Sequence, residues 1–77
     1  MSSHLDLNKT EIKNSIIFKL QLLGFEVNED TPIWKIKSII RRIQKDCELM
    51  VDGLIGKETM SLLGYSDEEI KKMLKKR

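Results

Sequence analysis

The chain has few of the residues that small domains use as staples. Its 77 residues include one cysteine (Cys47), one histidine (His4), one proline (Pro32), one tryptophan and four glycines. A single cysteine excludes an internal disulfide. One Cys and one His fall short of the four ligands a zinc site usually takes, so no metal or cofactor is expected. Cys47 as a nucleophile would need a neighbouring base, and His4 lies in what reads as a loose N-terminal tail. A small buried hydrophobe is the simpler reading of Cys47. No run of about 18 apolar residues occurs, so no membrane-spanning helix is expected. Met1 to Lys13 is polar and lacks an apolar h-region, so no secretory signal is expected. No sign of charge dominates: the formal net charge is +2, which neither demands nor excludes nucleic acid. The positive charge is unevenly placed, with Lys71, Lys72, Lys75, Lys76 and Arg77 at the end.

With 40% hydrophobic and 34% charged residues, what remains is one small domain. Such a chain buries roughly 60% of the surface its unfolded form exposes. Apolar spacing predicts an all-α fold of four helices. The first runs from about Lys9 to Leu23, with Ile12, Ile16, Leu20 and Leu23 on one face. Asn8 and Glu11 are spaced as a capping box, with Leu7 and Ile12 at its staple positions. Gly24 and Phe25 form a Schellman ending. After the polar connection 26–30, Thr31 is placed to cap the second helix and Pro32 to occupy its first position. Ile33, Ile36, Ile39, Ile40, Ile43 and Cys47 then make a stripe reaching to about Asp46 or Glu48. Leu49 to Val51 reads as a short extended piece, and Asp52-Gly53 as a turn. A short third helix spans about Lys57 to Leu63 and ends at Gly64. Ser66 and Glu69 form a second capping box, with Tyr65 and Ile70 as its staple, for a last helix from about Asp67 to Lys75. Its acids come early and its lysines late, as the helix dipole favours. The matching endings "LLGF" and "LLGY" obey the same local physics and require no duplication.

The stretch "LMVDGLIGKETMSLL" carries the densest pattern. Gly53 suits a positive-φ turn position and Asp52 an acceptor for nearby backbone N–H groups. Gly56 suits a close entry to the third helix. Thr59 offers a methyl for packing and a hydroxyl for the preceding backbone. Gln44 could hold the loop's backbone through its amide. For all five residues structure is favoured over ligand contact. No G-x-x-x-x-G-K-[ST] pattern is present, which argues against a phosphate cradle. The carboxylates Glu29, Asp30 and Asp67 to Glu69 fall in a loop and a helix start, not a cleft that would shift their pKa values. No enzymatic constellation is visible.

Gln44, Leu49, Asp52, Gly53, Gly56, Thr59 and Leu63 stand as Q-x4-L-x2-D-G-x2-G-x2-T-x3-L. This resembles the peptidoglycan-binding-like domain, a small three-helix module found beside many bacterial and phage cell-wall hydrolases. Ile16, Leu20 and "LLGF", and Ile39-Ile40 with Ile43-Gln44, match its first two helices. The likeness covers about Ile12 to Tyr65. Two features depart from it. Glu48 stands where the family often carries Gly, and "NEDTPIWKI" replaces an earlier D-G-x2-G-x2-T turn. The resemblance implies a compact three-helix bundle with an additional short C-terminal helix. Residues 1–7 would be a flexible tail, 8–66 the domain and 67–77 a basic helix.

The function implied is non-catalytic binding of bacterial cell wall, by a monomer. With no secretory signal, that function needs cytoplasmic synthesis followed by release through lysis or inclusion in a virion, as a phage protein could achieve. The alternative is a small intracellular protein-interaction module on the same fold, for example a phage protein acting on a host partner. Nucleic-acid binding through Arg41, Arg42, Lys45 and the tail is a third reading, set against near-balanced charge and no recognised reading motif. The candidate groove residues are Trp34, Lys37, Arg41, Lys57 and Tyr65. Lys and Arg suit the carboxylates of a wall peptide. Exposed, Trp34 would be a stacking platform or a partner hot spot. The reading favours at least partial burial of Trp34 between the first two helices.

Overall fold

Apolar residues three and four apart commit the first segment to an inward stripe. In the structure, a computed structural model that describes residues 4–74, helix α1 spans Thr10–Leu22. Ile16, Ile17 and Leu20 are buried and Ile12 packs at the edge. Leu23, expected on this face, is 50% exposed. The Asn8–Glu11 capping box does not form. Lys9 occupies the N-cap in an extended conformation, and no side chain bonds the first turn. Asp6 has closed the turn instead. Its carboxylate accepts the Asn8 N–H at 2.9 Å and its carbonyl accepts the Lys9 N–H at 3.1 Å.

The described part of the N-terminal segment is likewise not a loose tail. The Leu5 N–H donates to the Ile55 carbonyl at 2.9 Å, and Leu7 is buried in the core. Residues 1–3, and the basic ending Lys75, Lys76 and Arg77, lie outside the described residues.

Gly24 takes φ +97° after α1. The Phe25 N–H then reaches back to the Leu20 carbonyl and the Gly24 N–H to that of Gln21, both at 3.0 Å, which is the Schellman pattern. The connection that follows is polar but contains one core residue, Val27, 5% exposed. The Gln21 side-chain amide pins its carbonyl at 2.7 Å. Thr31 was expected to cap the second helix. Its hydroxyl instead accepts the Asn28 N–H at 2.9 Å, and the Thr31 N–H returns to the Asn28 carbonyl at 3.0 Å. Pro32 therefore stands at the N-cap, one position outside the helix.

Helix α2 spans Ile33–Asp46 and buries Ile36, Ile40 and Gln44. Ile33, Ile39 and Ile43 are partly buried at the margins of that face. Cys47, expected at the end of the buried stripe, is exposed because the helix has already ended. Trp34, expected to be at least partly buried, is 70% exposed. It sits roughly 200° around the helix from Ile36, on the side facing away from the core.

α2 ends as α1 does, but with a glutamate in the left-handed position. Glu48 has φ +59°, the Leu49 N–H bonds the Gln44 carbonyl at 2.8 Å, and the Glu48 N–H bonds that of Lys45 at 3.1 Å. Residues 49–51 form no strand; Met50 and Val51 are exposed. Helix α3 is Lys57–Leu62 and α4 is Asp67–Leu74. Between them Gly64 takes φ +99°, and the Tyr65 N–H returns to the Met60 carbonyl at 3.1 Å. The Ser66 capping box closes in both directions: Ser66 N–H to Glu69 Oε1 at 2.9 Å, and Glu69 N–H to Ser66 Oγ at 3.2 Å. Its staple, Tyr65 with Ile70, is buried.

One core joins all four helices, with Leu7, Val27 and Ile55 supplied by the connections. The radius of gyration is 11.5 Å, about the value expected for a compact chain of this length.

Two substitutions test these turns. Gly64→Val should lower stability by more than about 1 kcal/mol in urea unfolding, because positive φ is costly for a β-branched residue. Glu48→Gly should do the reverse and raise stability by about 0.5–1 kcal/mol, since left-handed strain in an L-residue outweighs the added unfolded-state entropy. Equal midpoints for Glu48→Gly and the parent would show that the position is unstrained.

Candidate binding surface

The centre of the C-terminal half is a buried carboxamide. Gln44, 2% exposed, extends from α2 into the loop 49–56. Its Oε1 accepts the N–H groups of Asp52 (3.2 Å) and Gly53 (3.0 Å). Its Nε2 donates to Asp52 Oδ1 (3.1 Å), the Leu54 carbonyl (2.9 Å) and Thr59 Oγ1 (3.0 Å). Two N–H hydrogens serve three acceptors, so one is shared. Thr59 Oγ1 thus accepts from the Gln44 amide, where a bond to the preceding backbone was expected. Gly56 is the N-cap of α3 at φ −96°, ψ −165°, extended backbone that does not depend on glycine.

Gly53 does depend on it. Its φ is +71°, and a Cβ there would lie 3.0 Å from Arg41 Nη1 and 3.4 Å from Arg41 Cγ. The Arg41 side chain is laid across the turn, so α2 grips the loop twice: Gln44 from within and Arg41 from the outer side.

Asp52 completes the lock. The Leu54 N–H, accepted at 2.9 Å, holds its carboxyl below the ordinary carboxylate range; desolvation opposes this more weakly and the Gln44 amide adds to it. Glu69 is shifted the same way, first by the Ser66 N–H, against a smaller desolvation effect. Both carboxylates are solvent-exposed and engaged in backbone bonds. Among the described residues, no group of three or more His, Cys, Asp or Glu is arranged to hold a metal ion, and no helix is long and apolar enough to cross a membrane.

The five groove candidates do not converge. Tyr65 is a core residue, 6% exposed, with its hydroxyl 2.6 Å from Ser15 Oγ. Burial pushes its phenol above the ordinary range, with the Ser15 bond acting the other way. Lys19 Nζ lies 4.7 Å from its ring centroid and 3.4 Å from the Gly64 carbonyl. Lys57, on α3, lines an open cleft with Ile70 and Leu74 of α4. Lys37 faces a different cleft, whose other wall is the N-terminal segment, including Leu5 and Leu7. The groove expected beside the loop is therefore partly occupied by the chain itself. The alternation of Leu5 and Leu7 was the one sequence signal for this.

Trp34 and Arg41 do share a surface, the outward side of α2. Arg42 and Lys45 extend it. All four side chains are exposed, and among the described residues none of the three cations forms an ion pair.

A scan against protein-family models, and searches of curated proteins and of solved structures, found no match for the chain.

Gln44→Ala should cost about 3 kcal/mol or more, because it orphans several loop groups at ~1–3 kcal/mol for each buried one. That is a large share of the ~4–12 kcal/mol available to a chain of this length. Chemical denaturation reads it directly, and a loss under about 1 kcal/mol would mean that water replaces the amide.

The carboxylate shifts set a pH dependence. Asp52 and Glu69 have lowered folded pKa values, so their stabilisation is present above the unfolded pKa and is lost as pH falls through the folded one. The melting temperature should fall as pH drops through and below about 4. Asp52→Asn should melt lower at neutral pH and lose less on acidification; an unchanged acid slope would remove Asp52 from the account.

Proposed function

We propose that the chain is a non-catalytic binding module for bacterial cell wall. Its fold is a three-helix bundle of the peptidoglycan-binding-like type, with α4 as the additional C-terminal helix. The carrying observation is that Gln44, Asp52, Gly53 and Thr59, four residues of the spaced motif, meet in one hydrogen-bonded unit. The Leu49 N–H bonds the end of α2, and Leu63 is buried with its N–H on the Thr59 carbonyl at 3.1 Å. The motif is thus a working substructure, which supports reading the resemblance as more than a chance match of spacing. The engaged state of the shifted carboxylates supports a structural role for them and a module without catalysis.

A second reading, a protein-interaction module on the same scaffold, is favoured by one specific observation. Phe18 and Leu22, four residues apart on the outward side of α1, are 57% and 67% exposed. Adjacent exposed apolar side chains on one helix face suit a protein partner.

Co-sedimentation with purified peptidoglycan sacculi separates the two. The cell-wall reading expects retention at low salt, undiminished in a Phe18→Ala/Leu22→Ala variant. No retention of the parent chain would end it. Lys57→Ala should keep the parent melting temperature, so any change in its retention reports binding alone.

A further inference from the structure

The four residues that share the outward side of α2 have a common geometry. Trp34, Arg41 and Lys45 follow one another at steps of seven and four residues, which keeps them within about 40° of arc. Arg42 lies roughly 80° from Trp34 on the same outward side. The stripe runs about 16 Å from Trp34 to Lys45 at 1.5 Å per residue. It bears three positive charges, with one acid, Asp46, at its C-terminal edge, four residues after Arg42. Asp46, the final residue of α2, lies roughly 120° around from Trp34 and about 40° from Arg42, with which it forms no ion pair. Asp52, near the Arg41 end, already accepts hydrogen bonds from Leu54 and Gln44.

Beyond the Arg41 stem over Gly53, folding does not require this composition. Trp34 is the only tryptophan in the chain and is 70% exposed, so it contributes little to the core. Arg41 and Lys45, like charges four residues apart, repel one another. A surface that is aromatic at one end and cationic along its length complements a ligand with flat apolar faces and repeated anionic groups. A sugar ring offers such a face to an indole, and carboxylates match the two-pronged guanidinium.

The geometry points to the outward side of α2 as the contact surface, and to an anionic glycan strand of the wall as its occupant. A sugar ring stacks on Trp34, and stem-peptide carboxylates bind Arg41, Arg42 and Lys45. This rests on the cell-wall reading and deepens it by moving the contact away from the clefts beside Lys37 and Lys57. The surface is rigid: its helix is fixed from beneath by Ile36, Ile40 and Gln44, so little is lost in ordering it on binding.

The sole tryptophan gives a direct readout. Soluble glycan-peptide fragments from digested sacculi should shift Trp34 emission to the blue and protect it from acrylamide quenching. Retention on intact sacculi should fall about ten-fold in Trp34→Ala, the scale of one lost stacking anchor. It should fall similarly in Arg42→Gln/Lys45→Gln, both exposed side chains, and decline between about 50 and 300 mM salt as screening grows. Lys71→Gln/Lys72→Gln should bind like the parent. Melting temperatures of all variants are compared, and Arg42→Gln/Lys45→Gln keeps the test valid if Trp34→Ala fails to fold.

Retention of the parent with unchanged binding by the α2 variants would overturn this proposal and leave the cell-wall reading standing. No retention of the parent would overturn both. Tighter binding to a single-stranded oligonucleotide than to sacculi, lost in the same variants, would assign the surface to nucleic acid and overturn the glycan as occupant.

Discussion

The buried carboxamide of Gln44 is the constraint on which the C-terminal half depends. The loop of ten residues between α2 and α3 has no ladder of its own, and its polar backbone must be satisfied somewhere. One side chain gives two acceptor bonds and three donor contacts to it. Burial makes the bonds to Thr59 and Gly53 matter most, because those two groups are shut away from water. Neither a carboxylate nor an ammonium could replace the amide: the first lacks the donor, the second the acceptor. With the loop fixed, Ile55 is delivered to the core and its carbonyl to the Leu5 N–H, which in turn brings Leu7 inward. The N-terminal segment is thus positioned by a residue some forty places along the chain.

The same arrangement explains why α2 has two distinct sides. Its inner side is specified by Ile36, Ile40 and Gln44. Arg41 sits at the border, with its stem over Gly53. Past that border nothing in the fold specifies side-chain identity. The residues there are free of packing demands, so aromatic and cationic composition is informative in a way that Ile36 is not. The elements with the strongest packing obligations, such as Tyr65 and Thr59, are correspondingly the poorest candidates for contact with a ligand.

What was legible in the sequence follows from how local each signal is. The endings at Gly24 and Gly64 and the capping box of Ser66 and Glu69 involve residues within a few places of one another, and all formed. The two misplaced starts failed for a shared reason. Asn8 and Thr31 lie beside other short polar residues, Asp6 and Asn28, and local turns engaged the capping groups first: Asp6 took the Asn8 N–H, and the Asn28 N–H took the Thr31 hydroxyl. Gln44 as holder of the loop was legible because the motif spacing left it few other tasks. Its bond to Thr59 was not, since that contact spans fifteen residues. Tyr65 and Trp34 were misjudged in opposite directions. An aromatic after a helix-ending glycine packs inward, whereas Trp34 is carried outward by the phase of a stripe centred on Ile36 and Ile40. Leu7 was read only as a local staple and Leu5 was missed, because their alternation alone does not reveal the distant Ile55 carbonyl that receives the Leu5 N–H.

The net charge of +2 also conceals a segregation that only the fold exposes. Six of the twelve acids lie in the connection with Glu26, Glu29 and Asp30 and in the first turn of α4, while Arg41, Arg42 and Lys45 give the outward side of α2 a net positive charge. Interactions between exposed charges are largely screened beyond about 8 Å at physiological ionic strength. A ligand lying along α2 therefore responds chiefly to the cations within that radius and to the indole at their end, and very little to acids on distant parts of the surface. Composition averaged over the chain underestimates such a site, because the averaging adds charges that no ligand feels together. The relevant quantity is the local density of charge on a rigid element, and on α2 the cations lie where the core asks least of the sequence.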